Sequence, residues 1–343
     1  MARFKKASDI KVGVIGYGGV FDMGRSHLNW AKQQGMTAAA VAEIDPARLK
    51  AAEADFPGIE AYESVSEMLA RSGVKLVVII TPHNTHAKLA LQCLRSGRHV
   101  VCEKPMAITT VECDRMIDAA QKHRLVLSAF HNRHWDGCVV AAVKAIRSGA
   151  IGRVCRISAR TGGYGKPGDW WRSSRSISGG ILYDWGVHFL EYGLQIVDDD
   201  IVEVSGFEHS GHWAGQTPWK KDTNEDEASI VVRFKGGAWL SLTVTQIDHD
   251  PRPGWFDVTG TKGSYWFDHS VWQIVKKVGG RTITTKGRSP STRWDLYYRN
   301  LRDHLVKGAP LVITPQWSRR PIHILDLAGQ SARKGAAMRA KHH

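Results

Sequence analysis

Short, unbroken apolar segments alternate with helix-like stretches through the first part of this 343-residue chain. The apolar segments are candidate strands, at residues 10–16, 37–43, 76–80, 98–102 and 125–129. Between them lie stretches with helical spacing, including 83–96 and 109–123 and a helix opened by Asp45-Pro46. Strands that are apolar throughout and separated by helices indicate a parallel sheet covered on both faces. Residues 1–133 are therefore predicted to form a doubly wound α/β domain.

The pattern changes after about residue 135, which predicts a second domain over residues 134–343. Its helical stretches lie near 138–148, 180–196, 292–307 and 321–338. Its candidate strands are 154–160, 202–208, 228–234, 239–246, 255–260, 264–267 and 271–276. Gly236-Gly237 between two of these predicts a tight hairpin. Alternating strands joined by glycine turns are typical of a mostly antiparallel sheet, so an open-sheet α+β domain is expected.

Composition narrows the class of protein. The five cysteines are odd in number and contain no Cys-x-x-Cys pair, which favours reduced thiols in a cytoplasmic protein. No long apolar run or export signal is present, so no membrane association is expected. Histidine pairs such as His83/His86 lack acidic partners, so no metal site is predicted.

The net charge of +14 would favour binding of nucleic acid or of another anionic ligand. No nucleic-acid recognition motif accompanies that charge, and much of the basic excess lies near the end of the chain. We interpret it as a solvated basic surface, and nucleic acid is not an expected partner.

A glycine turn follows the first strand as Gly16-Tyr17-Gly18-Gly19. Such a turn lets backbone N–H groups approach a pyrophosphate at a helix N-terminus, although a strand–helix turn without a ligand would look similar. The strict dinucleotide pattern would place its third glycine at position 21, where this chain has phenylalanine, and the next glycine is Gly24. The loop therefore carries three extra residues.

Glu43 ends the second strand, where a carboxylate can accept hydrogen bonds from ribose hydroxyls and would repel a 2′-phosphate. NAD is accordingly expected to bind more tightly than NADP. Arg48, on the following helix, is the residue that could weaken this preference by folding towards a phosphate. Thr81-Pro82 lies at the carboxyl end of another strand, the edge at which open α/β sheets bind ligands.

Two later motifs carry candidate catalytic groups. Lys104, in Glu103-Lys104-Pro105, follows a strand and could polarise a substrate hydroxyl, although Lys-Pro is also common in ordinary turns. Asp184 and His188 are spaced to share a helix face, where the carboxylate would orient an imidazole base. A surface pair at this spacing is the alternative interpretation. Tyr164, Trp171 and Arg172 could stack on and donate to a sugar ring, or could serve as packing.

Taken in order, these motifs resemble the Gfo/Idh/MocA oxidoreductase family, which includes glucose–fructose oxidoreductase and inositol dehydrogenase. The residues that carry the resemblance are Gly16-x-Gly18, Gly24-x-x-His27, Glu43, Thr81-Pro82 with His86, Gly97-x-His99-Val100, Glu103-Lys104-Pro105, Asn132-Arg133, Ile151-Gly152-x-Val154, Trp171-Arg172 and Gly180 to His188. Asp136 and Glu191 depart from the family pattern.

The resemblance implies a Rossmann domain, a bound NAD or NADP, and sugar, inositol or related polyol substrates. By position it implies Lys104, Asp184 and His188 as the catalytic group, and a cis peptide bond between Lys104 and Pro105. The implied cofactor-binding residues are Gly16, Gly18, Gly19, Gly24, Glu43, Thr81, Pro82, His86, Glu103 and Lys104. The candidate substrate-binding residues are Asn132, Tyr164, Trp171, Arg172 and Trp185.

The sequence thus predicts a cytoplasmic dehydrogenase of carbohydrate metabolism that transfers hydride between a secondary alcohol or ketone and nicotinamide. The resemblance also implies a homodimer or homotetramer formed through the C-terminal sheet. Two alternatives stay open. One is an NAD-dependent, redox-assisted glycosidase, and the other is a non-catalytic dinucleotide-binding regulator of the same fold.

Overall fold

The computed structural model describes residues 3–19 and 22–340, and within them the chain forms two compact units. The first unit contains the chain up to Asn132 together with Asp295–Arg319. The second contains Arg133–Trp294 and the chain from Arg320 onward. Residues 295–319 were predicted to be part of the second domain, whereas they belong to the first unit.

The first unit is built on a six-stranded sheet in which every neighbouring pair is parallel. Its strands are β1 (Lys11–Ile15), β2 (Thr37–Ala42), β3 (Glu60–Tyr62), β4 (Leu76–Ile79), β5 (His99–Cys102) and β6 (Leu127–Ala129). The strand order is β3-β2-β1-β4-β5-β6. The chain adds strands on one side of β1 up to β3 and then continues on the other side of β1 with β4. The carboxyl ends of β1 and β4 therefore mark the switch point at which such sheets bind ligands. The predicted Rossmann architecture is confirmed.

The helices between these strands are α1 (Met23–Gln33), α2 (Pro46–Asp55), α3 (Val65–Arg71), α4 (His86–Arg95) and α5 (Thr110–Lys122). Three of them, α2, α3 and α5, begin at a residue whose side chain caps the first turn. At α2 the Asp45 carboxylate accepts the Ala47 N–H at 2.9 Å, and at α5 Thr109 and Glu112 form a reciprocal capping box. The short elements β3 and α3 were missed because neither has enough residues to establish a period.

The second unit contains a nine-stranded sheet among its described residues. Its strands are β7 (Val154–Gly162), β8 (Ile201–His209), β9 (Glu227–Phe234), β10 (Trp239–Thr245), β11 (Phe256–Gly260), β12 (Gly263–Phe267), β13 (Val271–Val278), β14 (Arg281–Arg288) and β15 (Met338–Arg339). Their order is β14-β13-β12-β11-β7-β10-β9-β8-β15, and only the β7–β10 pair is parallel. The predicted mostly antiparallel sheet is confirmed, although the basic strand β14 was not anticipated.

Three helices of this unit are α6 (Gly137–Arg147), α7 (Arg175–Ser178) and α8 (Trp185–Ile196). From Gly186 onward every residue of α8 is buried, and α8 lies against β10 of the sheet. Along β9, buried Ile230 and Val232 alternate with half-buried Ser229 and Val231. One face of the sheet is thus covered, and the other is more open.

The chain ends with α9 (Asp295–Lys307) and α10 (Pro315–Lys334). Helix α9 belongs to the first unit, where the buried Tyr297 hydroxyl donates to Ser128 Oγ at 2.8 Å. The prediction that the last helix begins at Pro321 was wrong. Its start is at Pro315, where Thr314 Oγ1 accepts the Trp317 N–H at 3.0 Å, and Pro321 lies inside the helix.

Candidate functional site

The glycine turn after β1 has the backbone geometry that a phosphate cradle requires. Gly16 and Gly18 both adopt positive φ, at 83° and 81°. A Cβ added at Gly16 would lie 2.5 Å from the carbonyl oxygen of Ile80, so any side chain would displace the neighbouring strand end. Only glycine fits this position, which lets the turn pass close to the end of β4.

Gly24 provides the close packing between the turn and α1. Its N–H donates to the Tyr17 carbonyl at 3.1 Å, and an added Cβ would lie 2.6 Å from that same oxygen. Asp22 precedes the helix with φ 46°, in the left-handed region that aspartate tolerates. Residues 20 and 21 lie outside the described part of the chain. The longer loop therefore still brings a glycine of α1 against the turn.

Glu43 is buried, and both of its carboxylate oxygens already accept backbone hydrogen bonds. Oε2 accepts the Tyr17 N–H at 2.8 Å, and Oε1 accepts the Asp45 N–H at 3.0 Å. Each oxygen has a second lone pair, so the carboxylate can also accept a ribose hydroxyl. Glu43 consequently joins the glycine turn to the end of β2 whether or not a cofactor is bound.

Two arginines lie close to this turn. The Arg48 Nη2 atom would be 2.7 Å from a Cβ placed on Gly19, and Arg48 Nε pairs with Asp45 Oδ2 at 3.3 Å. Arg25 Nε donates to Asp55 Oδ2 at 2.7 Å, and the Tyr17 hydroxyl donates to the same oxygen at 2.7 Å.

Burial together with the bond to Asp55 raises the pKa of Tyr17, so its hydroxyl remains a donor. No spacing pattern predicts this Tyr17–Asp55–Arg25 set, because Asp55 is far from the other two along the chain. The glycine turn is therefore braced from α2 as well as from β2.

His86 connects two strand ends of the first unit. Its buried ring lies with Nε2 2.8 Å from the Thr81 carbonyl oxygen and Nδ1 2.8 Å from the Pro105 carbonyl oxygen. Thr81 Oγ1 also lies 2.6 Å from Thr85 Oγ1. The ring expected to bind cofactor thus bonds to the protein backbone and ties the end of β4 to the turn after β5.

Lys104 lies two residues beyond the end of β5, and the predicted cis peptide bond to Pro105 is confirmed. The Glu103 N–H continues the sheet by donating to the Ile79 carbonyl at 2.9 Å. Glu103 Oε2 then accepts the Lys104 N–H at 3.0 Å. Burial alone would raise the pKa of Glu103, but its hydrogen bond with His27 and the adjacent Lys104 lower it, so the side chain is a carboxylate.

Asp184 and His188 occupy the beginning of α8 in the second unit. Asp184 is the N-cap residue, and its side chain makes no capping hydrogen bond to the helix. His188, one turn further, is 5% exposed, and its ring contacts Trp185 edge-on with 5.9 Å between centroids. The helix begins after Asp184, not at Gly180, because a short 3-10 turn, Ile181–Tyr183, precedes it.

Glu225 holds the chain just before Asp184. Its buried Oε2 accepts the Ile181 N–H at 2.9 Å, and Oε1 pairs with Arg175 Nη1 at 3.1 Å. A Cβ on Gly180 would lie 2.8 Å from Glu225 Oε2, so the glycine lets the carboxylate approach. Burial raises the pKa of Glu225 despite the opposing charge of Arg175. No motif marks Glu225 in the sequence, because a single acidic residue next to a strand is common.

The expected substrate-binding side chains of the second unit belong to three clusters. Arg172 Cζ lies 4.9 Å from each of the Trp170 and Trp171 ring centroids. The ring of Trp185 has Arg133 Cζ above it at 4.6 Å. Tyr164 is 48% exposed and stacks on His249 with 3.8 Å between centroids. Asn132, half-buried, ends the first segment of the other unit.

The two departures from the family pattern have partners within the second unit. Buried Asp136 accepts hydrogen bonds from Tyr192 at 2.6 Å, Trp294 at 2.7 Å and Arg133 at 3.0 Å. Glu191 lies 2.5 Å from His134 Nδ1. Both acids therefore bind the segment around residue 134 to α8 and its surroundings.

Within the described ranges no group of three or more His, Cys, Asp or Glu side chains could hold a metal ion.

Two family models match this chain. The model described as an oxidoreductase family with an NAD-binding Rossmann fold matches residues 10–131, and the Gfo/Idh/MocA C-terminal domain model matches residues 139–266. The chain belongs to the Gfo/Idh/MocA oxidoreductase family, and it is an oxidoreductase with an NAD(P)-binding Rossmann domain.

Relatives of known activity match over most of their length. The scyllo-inositol 2-dehydrogenase (NADP⁺) of Bacillus subtilis is 28% identical, covering 98% of each chain. The myo-inositol 2-dehydrogenase of Thermotoga maritima is 27% identical, over 76% of this chain and 75% of its own. An NAD-binding protein from Listeria innocua has a similar structure, with a TM-score of 0.84, 26% identity and 97% coverage of both chains. Along residues 3–19 and 22–340, no helix is long and apolar enough to cross a membrane.

Proposed function

We propose that this oxidoreductase transfers hydride between nicotinamide and a secondary alcohol or ketone of an inositol, sugar or related cyclic polyol. The observation that carries the proposal is the pair of motifs, Lys104 after β5 and Asp184-x-x-x-His188 at the start of α8, on a chain homologous to inositol dehydrogenases. Levoglucosan dehydrogenase of Pseudarthrobacter phenanthrenivorans, 27% identical over 76% of this chain, adds a second type of carbohydrate substrate among the relatives.

The glycine turn fits a dinucleotide. Gly16 and Gly18 give the turn its positive-φ backbone, α1 begins just beyond it, and Glu43 retains acceptor capacity for a ribose. The nicotinamide of the bound dinucleotide supplies the hydride acceptor or donor. We assign the adenine half to the glycine turn and Glu43, with Thr81, Pro82, Glu103 and Lys104 serving the nicotinamide half.

The proposed catalysis divides between three side chains. His188 accepts the proton of the substrate hydroxyl as hydride departs, and Asp184 orients its ring. Lys104 donates a hydrogen bond to the substrate oxygen, which stabilises developing negative charge there. Asn132, Trp171, Arg172, Trp185 and Tyr164 are proposed to bind the ring of the substrate.

A screen of inositols, sugars, sugar acids and glycosides against both cofactors tests the proposal. A dehydrogenase accumulates absorbance at the reduced-nicotinamide band in proportion to substrate consumed, and the Lys104→Ala variant provides the matched control. Release of an aglycone without that absorbance would instead indicate the redox-assisted glycosidase. Cofactor binding with no turnover across the panel would indicate the regulator.

We propose that NAD is preferred over NADP. Glu43 supports this preference, because its buried carboxylate would face the 2′-phosphate of NADP. Arg48 opposes it, since its guanidinium lies beside Gly19, and the Bacillus subtilis relative is named for NADP⁺. Titrations of NAD and NADP by tryptophan quenching test the preference, and equal or reversed affinities would overturn it.

We also propose that the chain forms a homodimer or homotetramer through the open face of the second sheet. That face carries 63%-exposed Phe207 and 41%-exposed Trp239 among half-buried polar side chains. Light scattering on Phe207→Lys and on the wild type would test this, and an unchanged mass would contradict it.

We also propose a cytoplasmic location for the protein. The free cysteines, four of them buried, are consistent with that location.

A further inference from the structure

Three side chains of the first unit, buried or nearly so, form a hydrogen-bonded series that ends at Lys104. The Tyr298 hydroxyl lies 2.7 Å from His27 Nδ1, and His27 Nε2 lies 3.1 Å from Glu103 Oε1. The other oxygen of Glu103 accepts the Lys104 N–H at 3.0 Å. His27 and Tyr298 are fully buried, and the Glu103 side chain is 15% exposed.

The protonation states of Glu103 and Tyr298 are defined by their surroundings. Glu103 is a carboxylate and can only accept, so His27 Nε2 carries the hydrogen that it donates. Burial raises the pKa of Tyr298 well above its usual value, so its hydroxyl keeps its proton and can pair with Nδ1 as donor or acceptor. Both ring nitrogens of His27 therefore have a partner, and Nε2 is directed at Glu103.

The His27 ring is enclosed by aromatic side chains. Its centroid lies 4.4 Å from Phe130 and 5.4 Å from Trp30, in edge-on contacts, and Trp30 in turn stacks on Phe130 at 5.3 Å. Packing of this kind opposes rotation of the imidazole. Because both ring nitrogens are also occupied, His27 presents Nε2 to Glu103 in one orientation.

We propose that His27 is a positioning residue for Lys104, acting through the Glu103 carboxylate and held in its orientation by Tyr298. The backbone of Glu103 is held by its hydrogen bond to the Ile79 carbonyl. The side-chain conformation of Glu103 is not set by that bond, and the contact with His27 holds it in place. Glu103 then holds the peptide N–H from which the Lys104 side chain projects. The inference rests on the proposed function, in which Lys104 polarises the substrate oxygen.

Two amide substitutions separate the contacts of His27. The amide nitrogen of glutamine reaches as far as Nε2, so His27→Gln keeps a donor towards Glu103. The amide of asparagine reaches only as far as Nδ1, so His27→Asn keeps the Tyr298 side and loses Glu103. We expect kcat to fall roughly 10- to 100-fold in His27→Asn but only about threefold in His27→Gln, with the Kd for NAD little changed. Equal losses in both variants would overturn the positioning role.

His99 provides the matched control for a purely structural effect. It is a buried histidine at the opposite end of the same strand, and its Nδ1 accepts the Val126 N–H at 2.9 Å. His99→Asn should lower the melting temperature while leaving turnover per folded molecule within about twofold. If His27→Asn does not fold, Tyr298→Phe removes only the hydroxyl, and it should lower kcat without changing the Kd for NAD.

A readout without turnover separates this inference from the proposed function. Reductive methylation with ¹³C-formaldehyde labels lysines, and the Lys104 resonance is the one absent from Lys104→Arg. We expect that resonance to move in His27→Asn and Glu103→Gln but not in His99→Asn. An unchanged resonance in His27→Asn would overturn the inference. If it moves while the wild type oxidises no polyol, the proposed function fails and the positioning of Lys104 stands.

Discussion

The Glu43 carboxylate accepts the backbone N–H of Tyr17 at 2.8 Å, so this acid after β2 holds the glycine turn in place without a bound cofactor. Its other oxygen accepts the Asp45 N–H at 3.0 Å. The residue expected to select the cofactor is thus also a structural part of the loop that binds it. Its substitution should therefore change stability and cofactor affinity together.

Glu43→Gln tests this double role. A glutamine can offer its single oxygen to one of the two N–H groups, and its amide nitrogen then faces the other, which is left unsatisfied in a buried site. We expect a loss of about 1–3 kcal/mol in the free energy of unfolding, measured in urea, together with weaker NAD binding. Asp9→Asn, at an exposed position away from the turn, is the control. Unaltered stability with weakened binding would show that the two backbone bonds contribute little.

Arg48→Ala should discriminate between the two cofactors. The guanidinium lies against Gly19 and is paired with Asp45, which leaves it close to the turn but 47% exposed. Removing this cation should weaken NADP binding by about tenfold and leave NAD binding within about twofold, because only NADP carries the additional phosphate. Parallel titrations at two salt concentrations measure both affinities. A similar loss for both cofactors would assign Arg48 to the shape of the turn.

The stability of the protein should fall in mild acid because of His99. Burial, with Arg3 and His304 nearby, lowers the pKa of His99 to about 4. Since the unfolded chain binds this proton near pH 6.5, it binds more protons than the folded protein between these values, and stability falls as pH decreases across that window. The contribution is about 3 kcal/mol at most. In His99→Asn, which cannot ionise, urea unfolding should depend less steeply on pH, whereas parallel curves would contradict the prediction.

The fold could be predicted from sequence because its strands follow simple rules. The continuous apolar runs of β1, β4 and β5 are what a sheet covered on both faces requires, so the parallel sheet could be predicted, whereas its strand order could not. Shorter elements were missed, and the last helix was given the wrong start because Pro321 looked like a first-turn proline. Thr314 and Pro315 form a capped start six residues earlier.

The residues near the candidate site were harder to predict when their role depends on a distant partner. Lys104 and His188 lie in recognisable motifs, so sequence alone was enough to select them. Glu225 and Tyr298 were not selected, because their partners Ile181 and His27 are remote in the chain. His86 was selected, but no spacing rule predicts that its two ring nitrogens each lie 2.8 Å from a backbone carbonyl oxygen.

The last prediction separates cofactor binding from chemistry. Lys104→Ala and His188→Ala should each retain NAD binding and lose most turnover, and Asp184→Asn should also be impaired. Losing a positioned acid or base typically costs on the order of 10² to 10⁴ in rate. The glycine turn and Glu43, which are proposed to hold the adenine half, are unchanged in all three variants. Rates corrected for the folded fraction, with melting curves alongside, measure the effect.

A structural role for these residues predicts a different outcome, namely a lower melting temperature with turnover per folded molecule roughly intact. Glu225→Gln is an informative comparison, because Glu225 holds the Ile181 N–H in the turn before Asp184 without being assigned to the chemistry. We expect it to lower stability more than His188→Ala does and to lower corrected turnover less. Near-normal corrected turnover in His188→Ala would exclude this histidine as the base and leave as candidates Lys104 and Tyr183, the tyrosine that directly precedes Asp184.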